Sequence, residues 1–327
     1  MCKYKDIWEG QTEEEILDSF NQLFLDDLES YYTDTIACCD NCFDDFVEKW
    51  PAVYQRDLRF QTHSLDLSSY LEQSRLVDFF TQEEFDRYIQ RLKCPRCGSP
   101  LRYNIWPYDF SFDLPGDFEQ TLMEINEIAK RTPFLLLSHP FAKNTYKEIV
   151  ILGSQTPKRP LEKSLFRARK LKPGKVYNED DFYTPEKDLI EEGRYNHAGQ
   201  PVLYLAEDIE TCYYELRRPN DGIASAEIHI SNSIRVLDLL DDLSMEANVI
   251  EAIKWSSLMS SPREGQGWFK PHYVFTRFVA DCAVAGGFDA IRFPSVRSEK
   301  GGNIVLLNPD TLRDKVSIRN IQLITKL

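Results

Sequence analysis

The sequence predicts an α+β fold, with a helical N-terminal domain followed by a C-terminal domain of mixed α and β structure. Three observations lead to this reading. Apolar residues recur at helical spacing through the first third. The paired cysteines fall in that same third. Beyond residue 160, short apolar runs and helical segments are interspersed without a regular βα repeat.

In the first third, Ile16, Leu17, Phe20, Leu23, Phe24 and Leu28 form one apolar helical stripe. Thr81-Gln82-Glu83-Glu84 is a capping-box pattern ahead of Phe85, Tyr88, Ile89 and Leu92. A third helix is expected over residues 117–131, with Phe118, Leu122, Ile125 and Ile128 turned inward. Residues 132–160 hold Pro133, Pro140, Pro157 and Pro160 and read as a connector, which sets the expected domains at 1–150 and 151–327. The basic window that follows, from Lys158 to Lys175, reads as a solvated loop. Arg167 and Arg169 are the exceptions, because they follow Leu165 and Phe166 and are placed to sit at a core edge.

In the second half, residues 201–206 read as a strand, and Asp208 as the N-cap of a helix carrying Ile209, Cys212, Tyr213 and Leu216. Strands are expected at 226–230, 234–239, 288–293, 303–307 and 316–324, and helices at 244–258 and 274–285.

The bulk numbers set bounds. The chain has 327 residues, 42% of them hydrophobic, and a net charge of −14. So acidic a chain is not a general binder of nucleic acid or anionic membrane, both of which select a basic surface. An anionic ligand therefore needs a local exception to the global charge. The first residues have no apolar stretch of the signal-peptide kind, and the longest apolar run, residues 134–137, is far too short to span a bilayer. A cytoplasmic location is expected, and there eight cysteines point to metal or reduced thiols before disulfides.

Cys94-Pro95-Arg96-Cys97-Gly98 is a knuckle whose two thiolates are spaced to bind one tetrahedral zinc ion. The second pair is Cys39 and Cys42, with Cys38 as a spare. The expectation is a structural Zn²⁺ held by Cys39, Cys42, Cys94 and Cys97, the two pairs bridged by a helical insertion. Nothing in the spacing of His63 or His139 recommends either as a replacement ligand. Cys2, Cys212 and Cys282 stand apart, the last two as small core residues.

Arg194, Tyr204, Glu215 and Ser295 form a set whose chemistry can be weighed against one reaction, cleavage of NAD at the nicotinamide–ribose bond, which makes definite demands on a protein. Its leaving group is already a cationic pyridinium, so no strong acid is needed. A carboxylate beside the ribose stabilises an oxocarbenium-like transition state. An arginine fork matches the diphosphate, and an aromatic face stacks on nicotinamide. Arg194, Tyr204, Glu215 and Ser295 offer these groups in order, on a loop, a strand, a helix end and a strand end. Singly, each has an ordinary reading as surface charge, core, helix-surface acid or turn residue. Together, in this order and spacing, they read as a site.

Gly193-Arg194-Tyr195-Asn196, the Gly-x-Pro-Val-x-Tyr run from Gly199 to Tyr204, the helix reaching Glu215, Phe293-Pro294-Ser295 and the strand from Gly301 resemble the motifs of the RES-domain family. Two departures are Tyr195, where that family usually has Trp, and Phe293, where it usually has Tyr. The resemblance covers roughly residues 160–325. It implies a fold similar to ADP-ribosyltransferase toxins, with NAD as substrate. The activity it implies is that of a toxin that degrades NAD by hydrolysis or phosphorolysis, or transfers ADP-ribose to a protein. It also implies an antitoxin that plugs the site. Carried over, Arg194 binds NAD phosphate or ribose, and Tyr204 lines the nicotinamide pocket. Glu215 is the catalytic carboxylate and Ser295 contacts the ligand. Arg167 matches the early arginine, with Arg169 as the alternative. The first half resembles the HEPN-type region attached to some RES domains, although Arg56-x6-His63 is one residue longer than a HEPN ribonuclease motif. A non-catalytic reading also stands, in which the cysteine knuckle marks a regulatory binding module.

Overall fold

A computed structural model describes residues 5–31, 35–56, 60, 63–240, 248–259, 273–295 and 301–325. By packing, the chain divides into two compact units, residues 1–116 with 255–257, and residues 117–254 with 258–327. The division falls after Gly116, whereas the sequence placed a boundary near residue 150.

The first unit contains α1 (Glu13–Asp26), α2 (Phe43–Lys49), α3 (Pro51–Arg56) and α4 (Gln82–Ile89). Both α1 and α4 begin in capping boxes, Thr12 with Glu15 and Thr81 with Glu84, so each start satisfies its orphan amides reciprocally. Phe20 of α1 packs edge-on against Phe80 and Phe85. A small antiparallel sheet was not foreseen. It comprises β1 (Ile36–Cys39), β2 (Leu65–Asp66) and β3 (Asn104–Tyr108) in the order β1-β3-β2. These strands are too short for an alternating pattern to register. Residue 2, one of the cysteines set apart above, lies outside the described residues.

The second unit opens with α5 (Phe118–Arg131) and α6 (Pro140–Gln155). The stretch expected to be a connector is thus mostly helical. Pro133 and Pro140 each stand at the first position of a helical segment, where the missing N–H would have been an orphan in any case. His139 caps α6 through Nδ1, which accepts from the Phe141 amide at 3.2 Å, and its Nε2 lies 2.9 Å from Glu124.

The principal sheet has seven strands among the described residues, in the order β10-β6-β4-β5-β9-β8-β7. These are β4 (Leu165–Lys170), β5 (Leu203–Ala206), β6 (Ile223–Ile230), β7 (Val236–Asp238), β8 (Ala290–Pro294), β9 (Gly302–Leu306) and β10 (Val316–Ile324). All pairings are antiparallel except β7 with β8. Three helices complete the unit: α7 (Ile209–Glu215), α8 (Asn248–Trp255) and α9 (Val274–Ala285). The helix expected at 244–258 is therefore described from Asn248, and residues 244–247 lie outside the described residues. Leu165, Leu203, Leu205, Ile228 and Ile304 form the core on one sheet face, and Ala168, Ala206, Cys212 and Ile223 form a smaller cluster on the other. The basic window expected to be a loop supplies β4, a strand paired on both sides. No helix among the described residues is long and apolar enough to cross a membrane.

Asp208 caps α7 as its sequence position suggests, its Oδ1 accepting from the Thr211 amide at 2.6 Å and its Oδ2 from the Thr211 hydroxyl at 2.8 Å. Replacing Asp208 with Ala should lower unfolding stability by about 1 kcal/mol, while Asp208→Ser should recover most of that loss. Urea denaturation of the three proteins checks this.

Candidate functional site

Strand register builds the site. Phe166 of β4 pairs with Ala206 of β5, Ala206 with Asn303 of β9, and Asn303 with Phe293 of β8. One row of side chains therefore crosses four strands, because directly opposed residues point to the same face. Phe166↔Ala206 is the single registered pair between β4 and β5. Beside it the two strands part, and a cleft of about 860 Å³ opens along the seam. Its size is that of small-molecule and cofactor sites. All four residues of the row line it, with Arg167, Arg169, Arg194, Tyr204, Glu215, Arg217 and Arg218 among the others.

Glu215 ends α7 and is half-buried. Its Oε1 accepts from Ser295 Oγ at 2.7 Å and from Asn303 Nδ2 at 3.0 Å. Ser295 lies just past β8, and its amide donates to the Gly301 carbonyl at 3.0 Å, which fixes the backbone at Ser295 itself. Glu215 is the one carboxylate in the described lining of the cleft, facing five arginines.

None of those arginines has a carboxylate partner within ion-pair distance among the described residues. Arg167 is 9% exposed, and its Nη1 donates to the Tyr204 carbonyl at 3.2 Å across the seam, while its buried Nε has no hydrogen-bond partner among the described residues. Burial, with the Arg169 guanidinium nearby, pushes the Arg167 pKa down to about 9. Arg169 donates to the carbonyls of Asp181 and Tyr183, at 2.8 and 3.4 Å. Burial lowers its pKa as well. The Asp181 carboxylate offsets part of the charge on Arg169, but neither of these adjacent, desolvated cations has an ion-pair partner among the described residues, which is costly.

Arg194 is placed by aromatic faces and backbone. Its guanidinium lies over Phe293 at 5.1 Å and Tyr195 at 5.4 Å, and Nη2 donates to the Met259 carbonyl. Tyr195 and Phe293 pack on each other with ring centroids 4.6 Å apart. Tyr204 lines the cleft, but its hydroxyl is spent on holding the loop. It accepts from the Tyr195 amide at 2.9 Å and donates to Asn196 Oδ1 at 3.0 Å. Burial raises its pKa, so it stays a neutral donor. Gly193 is needed because a Cβ there would lie 2.2 Å from Asn196 Oδ1 and 2.7 Å from the Tyr204 hydroxyl.

Arg217 and Arg218 follow Glu215 at φ of 65° and 49°. Helices often end in one such residue, usually glycine. Here arginine takes the left-handed region twice, at roughly 1–2 kcal/mol each, and both side chains line the cleft. Cys212 also lines it, but burial and the Asp208 carboxylate push its thiol up to about 12, so it remains protonated and is no nucleophile.

Arg167, Arg194, Tyr204 and Glu215 thus meet in one cleft, and Ser295 joins them through Glu215. Sequence reading missed Asn303, which sits within the strand motif from Gly301 and is 7% exposed. It also missed the Arg217–Arg218 pair, visible only as charges after a helix. Cys39, Cys42, Cys94 and Cys97 come together in the first unit, with all four sulfurs within 4.8 Å of one another. Cys38 is not among them. His139 caps a helix instead.

A cleft along the β4–β5 seam, whose described lining holds one carboxylate and five arginines, is the candidate site. Residues 164–325 match the family model for the RES domain, so the chain carries a RES domain over this segment. Among solved structures, the chain is similar to one in the crystal structure of the M. tuberculosis MbcT–MbcA toxin–antitoxin complex. The TM-score is 0.39 and the identity 13%, over 55% of this chain and 93% of that one. No curated protein matches the chain.

Tyr204→Phe leaves the Tyr195 amide and Asn196 Oδ1 without their shared partner. It should cost about 1–3 kcal/mol of stability. Equilibrium urea unfolding measures the loss, and stability equal to the parent protein would contradict the role given to this hydroxyl.

Proposed function

We propose that the chain is a toxin that cleaves the nicotinamide–ribose bond of NAD, with residues 151–327 as the catalytic domain and residues 1–150 as an accessory domain. The observation that carries this reading is the Glu215 carboxylate, braced by Ser295 and Asn303, in a cleft whose arginines have no ion-pair partner among the described residues. NAD supplies what each part lacks. Its diphosphate neutralises buried guanidinium groups, and its ribose develops positive charge that a fixed carboxylate stabilises. The RES domain supports the same substrate, since RES-domain toxins act on NAD.

In this reading Arg167 and Arg194 hold the diphosphate and adjoining ribose, with Arg169 supporting Arg167. Tyr204 lines the nicotinamide pocket and keeps the Arg194 loop in place. Glu215 stabilises the oxocarbenium-like ribose and orients a ribose hydroxyl. Ser295 and Asn303 pin the carboxylate, so that it need not reorganise as charge develops. Nicotinamide leaves as a neutral molecule, so no general acid is required. Water or phosphate then completes the reaction at the anomeric carbon. Consumption of NAD harms the cell that makes the enzyme, and a protein antitoxin that closes the cleft in the cytoplasm accounts for its tolerance.

Nicotinamide release from NAD tests the proposal. Glu215→Gln should lower kcat/KM on the order of 10²–10³-fold with NAD binding retained. Arg194→Ala should weaken NAD binding about tenfold or more through loss of charge-assisted hydrogen bonds. Wild-type turnover by Glu215→Gln would remove the carboxylate from its role. Faster release with added phosphate identifies phosphorolysis. Release that appears only with an added protein identifies ADP-ribose transfer.

A further inference from the structure

We propose that Cys39, Cys42, Cys94 and Cys97 bind one zinc ion as a closed four-thiolate site that holds the first unit together. The sulfur geometry makes the case. Cys39 Sγ lies 3.9 Å from Cys42 Sγ and 3.7 Å from Cys97 Sγ, and Cys42 Sγ lies 3.8 Å from Cys94 Sγ. A disulfide requires about 2.05 Å, so none of these pairs is bonded. Four sulfurs placed tetrahedrally at a Zn–S distance of about 2.3 Å are separated by about 3.8 Å along each edge. These three separations match that edge.

The backbone around the thiols is shaped for the same task. Cys39 ends β1 and Cys42 immediately precedes α2. The Cys42 amide donates to the Cys39 carbonyl at 2.9 Å, and the Cys39 amide reaches Cys42 Sγ at 3.3 Å. In the second knuckle the Gly98 amide donates to the Cys94 carbonyl at 2.9 Å, and Gly98 takes φ +71°, a turn that a side chain would strain. Asp40, inside the first knuckle, accepts from the amides of Tyr103 and Asn104 at 3.2 and 2.9 Å, which ties it to the chain just beyond the second. Arg96, inside the second knuckle, donates to the Cys42 carbonyl at 3.0 Å and pairs with Asp45 at 2.5 Å. Its guanidinium offsets part of the net negative charge of four thiolates on a divalent ion.

Strand alternation explains why Cys38 is excluded. It neighbours Cys39 on β1, so its side chain points to the opposite face of the small sheet, where it is fully buried. Four protein ligands leave no open position, which makes the site structural and not catalytic. Its placement suits a clasp, since Cys42 and Cys94 are 52 residues apart and their joining closes a long loop.

The test uses the full chain, purified without chelator. Elemental analysis should find one zinc per chain, released on titration with a mercurial thiol reagent and detected with a chromophoric zinc indicator. Exchange with cobalt should give the visible absorption of a tetrahedral four-sulfur site. Cys97→Ser, which alters the one exposed ligand, should lower zinc affinity by at least about tenfold, while Cys38→Ala should keep full zinc. Metal content of the parent protein is informative even if a variant fails to fold, and it does not depend on NAD turnover. Freshly purified protein with substoichiometric zinc and four reactive thiols at these positions would overturn the proposal. So would stoichiometric iron, or zinc lost from Cys38→Ala and retained in Cys97→Ser.

Discussion

The site depends on one constraint, the antiparallel register that sets Phe166, Ala206, Asn303 and Phe293 in a single row. A shift of one residue in β9 would turn Asn303 to the other face of the sheet and leave Glu215 with Ser295 alone of the two. The same row ends at Phe293, whose ring carries the Arg194 guanidinium. Carboxylate and arginine are therefore placed by one pairing pattern, although they sit about twenty residues apart on elements with no regular structure in common.

A second constraint is electrostatic. The chain carries a net charge of −14, yet among the described residues the cleft lining gathers five arginines and a single carboxylate. Burying Arg167 beside Arg169 is costly, and the left-handed backbone at Arg217 and Arg218 adds strain at the cleft's rim. These costs fall where an anionic ligand would be received. They are sustained by a sheet core that includes Leu203, Leu205, Ile228 and Ile304, all nearly inaccessible to solvent.

Much of this was legible in the sequence, because the relevant signals are local. Caps at Thr81 and Asp208, the helical stripe of α1 and the Cys-x-x-Cys knuckle each act over a few residues, and the structure forms them where expected. What was missed depends on long-range pairing or on ambiguous residues. Asn303 looks like any strand residue until β5 and β8 flank it. β4 reads Leu-Phe-Arg-Ala-Arg-Lys, and although Arg167 and Arg169 were expected at a core edge, so basic a run looks like a loop until β5 and β6 pair with it. The prolines of residues 132–160 signal a break or a helix start equally well, and here two of them start helical segments. Likewise, the fifty-residue gap between cysteine pairs is closed by β1 pairing with β3, which begins shortly after the second knuckle.

In the proposed function, the braced carboxylate and the arginines act on one particular bond of NAD. The most direct measurement is mass spectrometry of the products formed when the purified chain is incubated with NAD. Free nicotinamide together with an ADP-ribosyl product is the expected result. Intact NAD under every acceptor condition, or cleavage at the diphosphate into two mononucleotides, would contradict it.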